Sequence, residues 1–190
     1  FENSPGTTAT TTQGKWLNGT AGGSATNTNY NWYAKYISGA GGSVGFQTSN
    51  VVTGTSALKL VLAANGAYDQ VQSGAVSDTK DKSSILLKPN TSYTLTAWIA
   101  ADNVTGDSND GGFVSVYESN GASLLAADST TKVKANQSFT KYTKTFTTNA
   151  STICGNILIN AYGHTGTATL QGNFYFDDIT LTRTSRSAVV

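Results

Sequence analysis

The feature that most limits how this chain can fold is a period of two. Apolar and polar residues alternate in short runs such as SYTLTAWIA (92–100) and GNILINAYG (155–163), and Gly, Asn and Asp turns separate the runs. Alternation of this kind puts one side of an extended chain into a core and turns the other away. NWYAKYIS (31–38), ALKLVL (57–62), YDQVQSG (68–74), SILL (84–87), GFVSVYES (112–119), KYTKTFTT (141–148) and NFYFDDITLT (173–182) read the same way, whereas SLLAAD (123–128) suits one turn of helix or an edge strand. No segment sustains the helical period of about 3.6 residues. About nine strands at such spacing predict an all-β chain, a two-sheet antiparallel β-sandwich of jelly-roll type. One module is expected over 1–182, with RTSRSAVV (183–190) as a linker or tail and the Gly/Thr/Asn-rich stretch 4–50 forming loops.

Charge narrows the partners. Twelve Lys and Arg face eleven Asp and Glu for a net charge of +1, and the densest basic group, Lys80, Lys82 and Lys88, is interrupted by Asp78 and Asp81. Nucleic acid calls for a clustered positive surface, so it is not an expected partner. No apolar run approaches the roughly 20 residues of a membrane helix, so no membrane is expected either. The single Cys154 rules out an internal disulfide or a multi-cysteine metal site, and within STICGNILIN it reads as a small buried residue. His164 is the only histidine and no nucleophile elbow accompanies it, which leaves a Ser–His–Asp or Cys–His apparatus unsupported. The chain contains no Met. A processed or excised segment of a longer precursor is the expectation, and the low charge suits a secreted protein.

The side of the strands away from the core carries the functional signal. Alternation sends Tyr68, Gln70 and Gln72, Trp98, Phe113, Ser115 and Tyr117, and Leu158, Asn160 and Tyr162 outward. If these strands share a sheet, Tyr68, Gln70, Gln72, Trp98, Tyr117, Asn160 and Tyr162 make one aromatic-and-amide face. An ordinary solvated face would carry Lys, Glu and Thr, so the mixture points to a binding surface. Sugar rings lay apolar C–H faces on aromatic side chains, and uncharged amides both donate to and accept from their hydroxyls. The strands place no Lys or Arg on this face, so the expected ligand is a neutral polysaccharide or oligosaccharide. Glu118 falls on the inward side or at a strand end, and the face offers no carboxylate pair for hydrolysis.

Five segments in order then carry a family resemblance. FEN (1–3), GTSALKLVL (54–62), LKPNTSYTLTAWIAA (87–101), FTKYTKTFTT (139–148) and NFYFDDITLT (173–182) resemble the corresponding strands of carbohydrate-binding modules of families four, nine and twenty-two, which share a galactose-binding-like jelly roll. The resemblance implies a non-catalytic module that binds a chain of xylan, β-glucan or mannan type in a cleft on one sheet. It also implies a covalently attached glycan-active catalytic domain and a monomeric state. A structural Ca²⁺ near the first and last strands is implied too, with Glu2 and Asp178 as side-chain ligands and backbone carbonyls from near Ser56. Asp177 is then a further ligand or an acceptor for backbone amides, and six to eight oxygens are what Ca²⁺ requires. The loop ADNVTGDSNDGG (101–112) gathers Asp102, Asn103, Asp107, Asn109 and Asp110 without the spacing of an EF-hand, and reads as a polar turn. Two other readings remain: a structural or adhesive domain whose aromatic face packs on another domain, and a polysaccharide lyase or hydrolase on the same fold, the lyase drawing on Tyr162 and His164.

Overall fold

A computed structural model describes Ala9, Thr11 and residues 15–17, 32–37, 41–63, 68–73, 85–106, 109–163 and 170–184. Of Lys15, Trp16 and Tyr36 it describes the backbone alone. Glu2, Tyr30, Asp107, His164 and the tail from residue 185 lie outside the described residues. The period-two runs become strands: β1 (Lys15–Trp16), β2 (Trp32–Ile37), β3 (Ser43–Gln47), β4 (Ala57–Leu62), β5 (Tyr68–Ser73), β6 (Ile85–Leu86), β7 (Ser92–Thr105), β8 (Gly111–Ser119), β9 (Leu124–Ser129), β10 (Gln137–Thr147), β11 (Cys154–Tyr162) and β12 (Gln171–Arg183). Every expected run is among them. β1 and β3 come in addition, and SLLAAD resolves as the edge strand β9.

Two antiparallel sheets face each other. One has seven strands in the order β1-β2-β5-β11-β8-β9, with β6 paired to the end of β11; the other has five in the order β10-β7-β12-β4-β3. Alternation decides what lies between them. Tyr93, Leu95, Ala97 and Ile99 of β7, Phe174 and Phe176 of β12, and Leu58, Leu60 and Leu62 of β4 meet Val71, Val114, Val116, Ile159 and Ala161 from the seven-stranded sheet. Fully burying a side chain such as Phe174 or Phe176 contributes about 1.5–3 kcal/mol over leaving it exposed. The sheets close on each other where Gly112 faces inward: a Cβ there would stand 2.5 Å from Cδ1 of Phe174. Cys154 is buried as expected, its Sγ 3.5 Å from the Ser119 carbonyl.

Glu118 also points inward. Its Oε2 accepts hydrogen bonds from the Asn149 N–H (2.8 Å) and the Thr152 hydroxyl (2.6 Å), so it holds the β10–β11 connection against β8. At 1 % exposure it stands apart from any surface at which substrate could be hydrolysed.

The paired aspartates of β12 have separate tasks. Asp177 is buried; its Oδ2 accepts from the Val52 and Thr53 amides at 2.8 and 3.4 Å, and its Oδ1 from the Asp178 amide at 2.8 Å. It thereby fastens the β3–β4 connection across β12. Asp178 takes a left-handed φ of 43° within the bulge of β12 and accepts the Thr53 hydroxyl at 2.7 Å.

Candidate functional site

The outer face of the seven-stranded sheet follows from register, because directly opposed residues share a side. One row crosses Leu86, Cys154, Ser119 and Leu124, and the next Asn156, Tyr117 and Ala127. The third runs Tyr33, Gln72, Leu158, Ser115 and Ser129. Gln70, Asn160 and Phe113 form the fourth, and Tyr68, Tyr162 and Gly111 the fifth. None of these residues is charged. Tyr117 and the Tyr68–Tyr162 pair lie six residues apart along the strands, about 20 Å at 3.3–3.4 Å per residue.

Six of the seven residues expected on this face are on it: Tyr68, Gln70, Gln72, Tyr117, Asn160 and Tyr162. Trp98 is not. It belongs to β7 of the five-stranded sheet, opposite Lys141 and Asp177, and points outward on the far side of the sandwich. Alternation correctly turns it away from the core, but each sheet has its own outer side.

The amides also differ from expectation in what they do. Gln70 Nε2 donates to Asn160 Oδ1 (2.7 Å) and to the Tyr162 hydroxyl (2.8 Å), while Asn160 Nδ2 donates to Ser115 Oγ (3.0 Å) and the Leu158 carbonyl (3.2 Å). Gln70 and Asn160 are 3 % and 1 % exposed. They form a lattice tying β5, β11 and β8 together, and through Gln70 they hold the Tyr162 hydroxyl. Gln72 is buried as well, and its amide makes no hydrogen bond among the described residues. Tyr33, Tyr68, Tyr117 and Tyr162 remain half-buried.

The aromatic end of the face is braced by edge-to-face contacts, Tyr68–Tyr162 at 5.6 Å and Phe113–Tyr162 at 5.3 Å between ring centroids. Lys132 lies 5.3 Å from the Phe113 centroid and is neutralised by Asp110 at 2.8 Å. Phe113 was legible as an outward residue by the same alternation as Tyr117; Tyr33 was not, and its pairing with Gln72 is what places it on this face.

The bonding of the β12 aspartates bears on whether they can hold a metal. Asp177 has both oxygens engaged by backbone amides, so it serves as an acceptor for the β3–β4 connection. Asp178 Oδ2 makes no hydrogen bond among the described residues, which leaves a donor suited to a hard cation. Among the described residues no three acidic, His or Cys groups converge. The polar turn expected over 101–112 is strand at both ends, because β7 runs on to Thr105 and β8 begins at Gly111, and its described aspartates separate, Asp110 to Lys132 and Asp102 to the outer face of the five-stranded sheet.

No protein-family model matches the chain, and no curated protein sequence matches it. Solved structures do. A protein described as "Family 16 Carbohydrate Binding Module-2" superposes with a TM-score of 0.50 at 20% identity, over 76% of this chain and 86% of its own. The Clostridium thermocellum N-terminal endo-1,4-beta-D-xylanase 10B, as CBM22-1–GH10 modules complexed with xylohexaose, gives 0.51 at 14% identity over 84% of this chain. An arabinose-bound α-L-arabinofuranosidase gives 0.53 at 14% over 80%. This chain spans only 27% and 23% of those two enzymes' lengths. The fold is therefore an all-β jelly roll of the kind found in carbohydrate-binding modules.

Proposed function

We propose that this chain is a non-catalytic carbohydrate-binding module that holds a neutral polysaccharide against the outer face of its seven-stranded sheet. The observation that carries this reading is the uncharged face itself, with half-buried Tyr33, Tyr68, Tyr117 and Tyr162 set around a rigid Gln70–Asn160–Ser115 lattice. Aromatic rings fixed in advance supply contact area with little loss of freedom on binding. Gln70 contributes by positioning the Tyr162 ring, and among the described residues the Gln72 amide keeps bonding capacity for a hydroxyl. The jelly-roll likeness to carbohydrate-binding modules supports the same reading, as does the match to part of two glycan-active enzymes. A xylan, β-glucan or mannan type of ligand, an attached glycan-active enzyme and a secreted location belong to this proposal.

Titration calorimetry with soluble xylan, β-glucan and mannan tests it. Saturable binding to at least one is expected, weakened roughly tenfold or more, about 1.4 kcal/mol, in Tyr117→Ala and in Tyr162→Ala. Binding to none of them, or full affinity in the double variant, would remove the proposal. A second reading rests on one observation: Leu86 and Leu124, 87 % and 56 % exposed, end the same face in an apolar row suited to a protein neighbour. That reading expects a defined oligomer or docking partner and no sugar binding.

A further inference from the structure

A second concavity lies on the other sheet. The cleft has a volume of about 650 Å³ and opens beside β7, between the start of β10 and the β3–β4 connection; Asn50, Asp102, Asn136, Gln137, Ser138 and Phe139 line it. This volume lies within the usual range for small-molecule sites, about 300–1,000 Å³. Its walls are held from behind. Gln137 donates to the Ile99 carbonyl (3.0 Å) and accepts the Tyr142 hydroxyl (3.0 Å), which pins the bulged start of β10 onto β7. Asn136 Oδ1 accepts the Val104 amide at 2.7 Å. The opposite wall is set by Asp177, which anchors Val52 and Thr53 just beyond Asn50.

What remains for a ligand is a short set of neutral donors and acceptors beside one ring. Asn136 keeps its NH₂ group. Among the described residues, the Asn50 side-chain amide and the Ser138 hydroxyl make no hydrogen bond. Phe139 is half-buried. Asp102 lies at the edge of the cleft, its oxygens taking hydrogen bonds from Asn173, Asn103 (3.0 Å) and Tyr175 (2.8 Å). Burial by itself would raise its carboxyl, but these donors and the charge of Lys59 outweigh that and hold it below the ordinary carboxylate range. Tyr175, partly buried and bonded to this carboxylate, is pushed up to about 12 and stays a donor. A carboxylate oxygen has about two acceptor sites, so Asp102 retains capacity for one hydroxyl. Among the described residues no Lys or Arg lines the cleft, and an anion would meet Asp102.

We propose that this cleft is a second, independent carbohydrate subsite, which takes one or two neutral sugar residues by ring contact with Phe139 and hydroxyl bonds to Asn50, Asn136 and Asp102. Trp98 lies on the same outer face four residues before Asp102, about 13 Å away along β7. With one site on each sheet, the module carries two sugar chains, or two segments of one, on opposite sides. Each site then raises the effective concentration for the other on an insoluble polysaccharide.

The test is a ¹⁵N–¹H NMR titration of the protein with xylohexaose, cellohexaose and mannohexaose. At least one of them is expected to shift the amides of Asn50 and residues 136–139 saturably. Asn136→Ala with Phe139→Ala should weaken that response roughly tenfold or more, while shifts in β5 and β11 keep their affinity. Cleft shifts that persist in the Tyr117→Ala/Tyr162→Ala variant separate this site from the tyrosine face, and the cleft proposal survives even if that face binds nothing. Absence of cleft shifts with all three sugars in the wild type overturns it, and so does an undiminished response in the double cleft variant.

Discussion

Two adjacent aspartates in the middle of a buried strand look like an error until each oxygen is followed to its partner. Asp177 takes three backbone amides and Asp178 one hydroxyl, so their work is to hold a loop, with no reacting group nearby. Hydrogen bonds to a charged acceptor contribute about 1.5–3 kcal/mol each, and orphaned buried donors add a penalty. Asp177→Ala should therefore cost about 2–4 kcal/mol after relaxation, lowering Tm by roughly 5–15 °C for a domain of this size. Asp177→Asn keeps one amide acceptor and should lose less. Thermal unfolding followed by circular dichroism measures both. A Tm for Asp177→Ala within a degree of wild type would show that the β3–β4 connection does not depend on this side chain. The sequence marked the pair as unusual, but the acceptor role is non-local: Val52 lies 125 residues before Asp177.

Strands were legible where alternation was long. β7, β8, β11 and β12 read directly, and for β7, β8 and β11 so did which residues face the core, because a period of two depends on the backbone alone. β3 escaped notice because SVGFQ follows GAGG, a turn signal that masks a short strand. Pairing was the harder part. Alternation says which side of its own sheet a residue occupies and is silent on which sheet that is, so it does not separate Trp98 from tyrosines that lie across the sandwich. The amide lattice was hidden for the same reason, since Gln70 and Asn160 are 90 residues apart and meet only through the β5–β11 register. Sheet membership makes its own prediction. Trp98→Ala should leave sugar affinity at the tyrosine face within about twofold of wild type, because no element of that face touches β7's outer side. Calorimetry on the same polysaccharide settles it, and a loss comparable with Tyr162→Ala would mean that the two faces are coupled.

The molecule as a whole is a sandwich with its last strand in the middle of one sheet, and how the start of the chain joins it bears on stability. Gly45 on β3 lies so close to Ala9 that a Cβ would stand 2.7 Å from the Ala9 Cα, so Ala9 sits against the outer side of the five-stranded sheet. Asp178 of β12 belongs to that sheet, two strands from β3. The Ca²⁺ we propose there, on Glu2, Asp178 and carbonyls near Ser56, would tie the first residues to the last strand on the side away from the tyrosines. Binding only the folded state at about one hundred times its Kd, the ion would stabilise by about 2.7 kcal/mol. For a chain of this length that is roughly 5–10 °C in Tm. Unfolding in EDTA should therefore begin lower than in calcium by that margin, and Asp178→Ala should remove the difference between the two buffers, in addition to the cost of its lost bond from the Thr53 hydroxyl. Sugar affinity at the tyrosine face should be equal in EDTA and in calcium, since the ion would lie on the opposite sheet. Equal Tm in the two buffers would exclude the ion and leave the Asp177 and Asp178 hydrogen bonds as the whole closure of β12.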